Sequence, residues 1–141
     1  MKYHFKVHKE KNGYWAECME LGGCQSQGGS MEKLLSNLHE ALNLYLSEPE
    51  NSAVIFPHPK RNVKGRSIIK IEVDPSVAAA TTIRQLRVKM HLTQQKMKET
   101  LGINNLSSYQ RLEDPKRCNP ELKTLANIKK HFPEFRLDEI I

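Results

Sequence analysis

Between Lys2 and Lys9 polar and apolar side chains alternate without a break, with Tyr3, Phe5 and Val7 on one side and Lys2, His4, Lys6 and His8 on the other. A period of two with one wet face predicts a half-buried antiparallel strand, His4 and His8 being solvated on its polar side. Asn12-Gly13 is a tight-turn signal, so a hairpin returns through Tyr14 to Met19. Gly22-Gly23 breaks that strand, and a short third strand follows at Cys24–Gln27. Ser30 can cap a helix, although Lys33 stands where a capping box has Glu or Gln. Met31, Leu34, Leu35, Leu38, Ala41, Leu42, Tyr45 and Leu46 then recur at steps of three and four, a helical stripe able to cover one sheet face. Ser47 to Gly65 carries three prolines and one short apolar run, Val54-Ile55-Phe56, and reads as a loop or linker. Ser67–Val73 alternates again. The order β-β-β-α-β predicts an α+β domain over residues 1–74.

Beyond Asp74 the period changes to that of helices, and an all-α domain is expected over residues 75–141. Asp74-Pro75 resembles a helix start, and the helix should run to about Met90, burying Val77, Ala80, Ile83, Leu86 and Met90. Thr81-Thr82 is its weak point, because β-branched side chains lose χ1 freedom in a helix. Thr93 caps a second helix, Gln94–Leu101, with Met97 and Leu101 inward, and Gly102 closes it with a left-handed residue. Asn104 or Asn105 caps a third helix packed through Leu106, Tyr109 and Leu112. A fourth is expected to start at Asn119 as cap with Pro120 behind it, burying Leu122, Leu125 and Ile128 before Pro133. Leu137, Ile140 and Ile141 could bury themselves in the core or at a dimer contact.

Charge sharpens the division. The chain of 141 residues carries +6, but residues 1–75 hold ten basic and nine acidic side chains while residues 76–141 hold twelve and seven. Between Ser76 and Pro133 the excess is +7, which points to an anionic partner for the second half. No run of 18 apolar residues occurs and the start of the chain is not leader-like, so a cytoplasmic protein without membrane association is expected. Three cysteines, Cys18, Cys24 and Cys118, fit a reduced compartment, and the six histidines lack metal-ligand spacing. No metal and no cofactor is expected. Only Glu10, Glu17 and Glu20 precede the first helix, too dispersed for a two-metal nuclease, and neither a nucleophile elbow nor a phosphate loop is present. No catalytic residue is assigned, and a non-enzymatic protein is expected.

Leu92-Thr93-Gln94, Leu101-Gly102-Ile103 and Arg111-Leu112-Glu113 resemble the pattern of Xre/Cro-type helix-turn-helix domains, over roughly residues 83 to 132. The resemblance implies that the second helix of the pair enters a major groove, with Asn104, Asn105, Ser107, Ser108 and Gln110 as base-edge candidates. It also implies phosphate contacts at the start of the preceding helix, from Gln94 and Gln95, and backbone contacts from Lys116 and Arg117. Arg87 and Glu113 would form a structural salt bridge. Two departures stand out: Lys98 occupies a position usually held by alanine, and the segment from Gly102 to Glu113 is one residue longer than the pattern.

Gly13-Tyr14, Leu21-Gly22-Gly23-Cys24, Gln27-Gly28, Ser30 and a helix containing Asn37, Glu40-Ala41 and Leu44 resemble the HicB antitoxin pattern, with Gly22 where Pro is usual and Ser30 where Thr is frequent. That resemblance implies a partial ribonuclease-H-like domain without nuclease activity. It implies a HicA-type RNA-cleaving toxin as protein partner, neutralised by steric cover, and repression of the operon through an inverted repeat in double-stranded promoter DNA. One such DNA-reading unit contacts few base pairs, so a homodimer or tetramer is expected. The competing expectation is a stand-alone transcription regulator whose first domain senses a ligand or an unrelated protein.

Overall fold

A computed structural model describes all residues, Met1–Ile141, and the chain divides into two compact units. The first comprises residues 1–46 and 56–73, the second residues 47–55 and 74–141. The nine residues after the first helix, read from sequence as part of a linker, thus pack with the second unit.

In the first unit, strands β1 (Lys2–Glu10), β2 (Gly13–Cys18), β3 (Gln25–Gly28) and β4 (Ile68–Glu72) form an antiparallel sheet in the order β3-β2-β1-β4. Helix α1 (Met31–Leu46) follows β3, so the class is α+β. The register sets Phe5 opposite both Cys18 and Ile69, and Tyr3 opposite Ile71, which gathers these side chains on one face. Leu34, Leu38, Leu42 and Leu46 are fully buried, whereas Met31 and Leu35 of the expected stripe are about 40% exposed. The buried stripe is therefore narrower than the run of apolar residues, because the four leucines at steps of four already fill the helix side that meets the core.

α1 runs close to β3. A Cβ on Gly28 would lie 2.5 Å from the Leu34 backbone nitrogen, so only glycine fits there. Asn37 Nδ2 donates to the Gln27 carbonyl at 2.7 Å, and Ser30 Oγ caps α1 by accepting from the Lys33 N–H at 3.1 Å.

His4 departs from expectation. It is buried, not solvated, with Nδ1 2.8 Å from Glu20 Oε2 while its backbone N–H donates to Glu20 Oε1 at 2.9 Å. The reason is the chain after α1: the Lys60 N–H donates to Glu20 Oε2 at 3.0 Å, and the Tyr3 hydroxyl donates to the Pro57 carbonyl at 2.7 Å. That segment covers the start of β1, and alternation within the strand cannot report it. His8 stays half-exposed, stacked on Trp15 at 4.1 Å between ring centroids.

In the second unit the helices are α2 (Pro75–Lys89), α3 (Gln94–Leu101), α4 (Leu106–Gln110) and α5 (Leu122–His131), with 3₁₀ turns at Arg111–Glu113 and Leu137–Glu139. Ile83, Met97, Tyr109, Ile128 and Phe135 lie at the centre of its core. α2 is buried without interruption from Val77 to Arg87, polar residues included. Thr82 meets that burial by donating its hydroxyl to the Ala78 carbonyl at 2.7 Å.

Two expected core residues lie outside. Met90 is 43% exposed because it follows the last turn of α2 as its C-cap, and Leu122 is 75% exposed because it opens α5. Asn119 does not cap that helix: α5 begins only at Leu122, three residues on, and Glu121 is its N-cap, without a side-chain bond. At the C-terminus Ile140 is buried in the core, Leu137 packs against it, and Ile141 is exposed.

All three cysteines are buried and free, and burial pushes their thiols up to about 11 for Cys18 and about 12 for Cys24 and Cys118. They are protonated and poor nucleophiles at neutral pH. No group of three or more His, Cys, Asp or Glu is placed to hold a metal ion, and no helix is long and apolar enough to cross a membrane.

Candidate nucleic-acid interface

The basic half of the chain presents two short helices joined by a sharp turn. Thr93, in extended backbone, opens α3 and its hydroxyl accepts from the Lys96 N–H at 3.0 Å. Gly102 closes α3 at φ 69°, ψ 29°, a conformation that costs a residue with a Cβ. Its N–H and that of Ile103 return to the carbonyls of Glu99 and Lys98, satisfying two groups the helix end would otherwise leave open. Asn105 then caps α4, its Oδ1 accepting from the Ser108 N–H at 2.8 Å and the Ser107 hydroxyl at 2.9 Å. Tyr109, fully buried, pins α4 to the core, which turns the opposite side of the helix outward.

Beneath the helices lies a buried polar cluster centred on Glu113. Arg87 grips the carboxylate with two nitrogens, Nε to Oε2 at 2.5 Å and Nη2 to Oε1 at 3.0 Å. The Tyr109 hydroxyl donates to Oε2, while Gln94 Nε2 and the Asn51 N–H each donate to Oε1 at 3.2 Å. Burial pushes the Glu113 carboxyl up, but Arg87, Tyr109 and Gln94 together hold it below the usual carboxylate range. Burial and the adjacent Glu113 push the Tyr109 phenol up, so it stays a donor. Arg87 also donates to the Leu92 carbonyl at 2.8 Å, fixing the chain just ahead of α3. The Arg87–Glu113 pair is thus scaffold, tying α2 to the end of α4.

The residues proposed for contact fall into distinct environments. Asn104, Asn105, Ser107 and Ser108 are exposed along the start of α4, with Asn105 already engaged as cap. Gln110 is half-buried and donates through Nε2 to Gln94 Oε1 at 3.2 Å. Gln94 is 7% exposed, and Gln95 is exposed and donates to Glu99 at 3.2 Å. Lys116 and Arg117 are exposed after the 3₁₀ turn. Arg117 is held on Asp114 at 2.7 Å, and with the Lys116 N–H it keeps the Asp114 carboxyl below its ordinary value. Lys98 is half-buried.

Two features of this surface were missed from sequence. Arg111 is exposed one helical turn beyond Ser107 and Ser108, and that spacing was the signal for a cation on the same face. The segment Ser47–Ile55 was missed because it has no periodicity. It turns sharply at Asn51, φ 64°, and Arg84 binds it by donating Nη1 to the carbonyls of Ser52 at 2.7 Å and Val54 at 2.5 Å.

Known proteins match part of the chain. A UPF0150 protein of Helicobacter pylori is 42% identical over 57 residues, 40% of this chain and 79% of the relative. A UPF0150 protein of Archaeoglobus fulgidus is 33% identical over 52 residues, 36% of this chain and 75% of the relative. One from Synechocystis sp. is 43% identical over 47 residues, 31% of this chain and 60% of the relative. No family model matches. The chain belongs to the UPF0150 family. These matches span less than half of it, and the relatives' name describes no activity.

Proposed function

We propose that this protein is a two-part antitoxin of the HicB type. Its first unit, in this reading a partial ribonuclease-H-like module, binds and covers a HicA-type RNA-cleaving toxin. Its second unit is a helix-turn-helix domain that binds promoter DNA of its own operon, as a homodimer or tetramer on an inverted repeat. The observation that carries the DNA-binding half is the α3–Gly102–α4 arrangement on the Arg87–Glu113 scaffold, set in the stretch that holds the +7 excess.

In this mechanism Asn104, Ser107, Ser108 and Gln110 face base edges, amide side chains suiting adenine and hydroxyls several bases. Arg111, Lys116 and Arg117 neutralise phosphates and set the register without reading sequence. The first unit performs no chemistry. Its support is the HicB-like run of residues together with membership of the UPF0150 family.

Two experiments test the reading. Full-length chain is mixed with a duplex from upstream of its coding sequence across a salt series, and binding should weaken steeply as salt rises. Co-expression with the product of an adjacent small open reading frame should give a complex and restore growth. Absence of both complex and rescue overturns the antitoxin reading, and DNA binding alone would then favour a stand-alone regulator.

A further inference from the structure

Gln94 opens α3 and is where a DNA phosphate would be expected to find a side-chain donor, yet both of its amide hydrogens are taken. Nε2 donates to Glu50 Oε2 at 2.5 Å and to Glu113 Oε1 at 3.2 Å. Both partners are carboxylates, which only accept, so the amide nitrogen must face them and the oxygen must face Gln110. Glu113 belongs to the scaffold. Glu50 does not: it arrives from the segment Ser47–Ile55 and places an anion against the first residue of α3, at the helix end whose dipole favours negative charge.

The segment is built to hold it there. The Ser52 N–H returns to the Pro49 carbonyl across a turn whose third residue, Asn51, takes the left-handed conformation. The Asn51 N–H reaches Glu113 at 3.2 Å and its Oδ1 accepts from Arg87 Nη2 at 3.3 Å. Arg84, 1% exposed, fastens the carbonyls of Ser52 and Val54. Ser52 also donates to Glu48 at 2.8 Å, so the second acid of the segment is engaged within it and makes no bond to Gln94.

We infer that Glu50 is a built-in phosphate mimic, an autoinhibitory contact that occupies the Gln94 donor a DNA backbone phosphate would otherwise use. The inference rests on the DNA-binding reading above and adds its regulation. While Ser47–Ile55 is docked, the interface lacks one phosphate contact and carries one opposing charge. Lifting the segment frees an amide hydrogen and removes the charge, so affinity rises for every sequence alike. Base choice, set along α4, does not change.

The test compares full-length wild type with Glu50→Ala, Glu50→Gln and Glu48→Gln. Each is titrated onto two labelled duplexes, the upstream fragment and its scrambled counterpart, by fluorescence anisotropy over a salt series. Glu50→Ala should bind both duplexes about fivefold tighter, with the log–log salt slope steeper by about one. Glu50→Gln is isosteric, keeps an acceptor for Gln94 and loses the charge. It should tighten both by a smaller factor, and it decides the matter should the alanine variant lose helix content. Glu48→Gln removes the same charge from the same segment and should leave binding unchanged. Unchanged or weaker binding by both Glu50 variants overturns the inference, as does an equal gain in Glu48→Gln. If wild type and all variants fail to bind either duplex at low salt, the DNA-binding reading itself has failed, a result distinct from these.

Discussion

Each unit buries one carboxylate against a basic side chain, and the two sites are finished differently. Glu113 receives hydrogen bonds from Arg87, Tyr109, Gln94 and the Asn51 backbone, so every lone pair in a dry site meets a donor. Glu20 is equally dry, its side chain 1% exposed, and takes the His4 ring, the His4 N–H, the Lys60 N–H and, at 3.8 Å, the Cys18 thiol, but His4 Nε2 finds no partner. Burial of charge is tolerated in both places because hydrogen bonds replace water. The fully partnered cluster stands where α2, α3 and α4 must be held in one geometry. The other closes the end of a sheet whose position is also fixed by backbone pairing.

Removing the carboxylate breaks that comparison most directly. Glu113→Ala leaves a buried guanidinium and phenol without their acceptor, and should cost about 3–5 kcal/mol. The loss should appear as a fall in the helical far-UV signal, to which α1 of the first unit still contributes. The single tryptophan, Trp15, lies in β2 and reports the first unit separately. A helical signal that melts as in wild type would mean the cluster contributes little. Glu20→Ala should act on the other unit, through Trp15 fluorescence, by about 1–3 kcal/mol, since hydrogen bonds to one carboxylate are lost while the leucine core beneath α1 remains. A larger loss for Glu20→Ala than for Glu113→Ala would reverse the ranking.

Acid sharpens the same contrast without mutation. The Glu113 carboxyl is held below its ordinary value, so its contribution is complete above the unfolded pKa of about 4.3 and is lost as pH falls through the lowered folded value. Helical signal in wild type should fall as pH drops below about 4, and that fall should be absent from a Glu113→Gln variant. Identical acid profiles for the two would show that Glu113 does not govern the transition.

The contrast also explains how much was legible in the sequence. The α+β order, the hairpin at Asn12-Gly13, the Thr93 cap, a cap at Asn104 or Asn105 and the left-handed Gly102 were readable because each is decided by neighbours a few residues away. The Arg87–Glu113 pair was readable only through a family pattern. His4 was misplaced because strand alternation reports one sheet, not what the chain lays over it 56 residues later at Lys60. Met90 and Leu122 were misplaced because periodicity does not say where a helix stops. The segment Ser47–Ile55, with one proline and no period, carried no signal that it belonged with the second unit. Within the candidate interface, side chains of α4 could be named from sequence, but the hydrogen bond from Gln94 to Glu50 could not.

The smallest effect expected is at the junction of stability and recognition. Asn105 accepts two hydrogen bonds at the start of α4, a helix of only five residues before it tightens into a 3₁₀ turn. Asn105→Ala should therefore cost about 1 kcal/mol, the usual value of a side-chain cap. Asn105→Asp keeps both acceptor contacts and should restore that stability while adding an anion where α4 would meet DNA. The pair of variants separates the two roles: thermal melts should rank Asp above Ala, and DNA affinity at low salt should rank Ala above Asp. If both measurements rank the variants in the same order, the residue acts only through the helix it caps, and the exposed start of α4 is not where charge from DNA is felt.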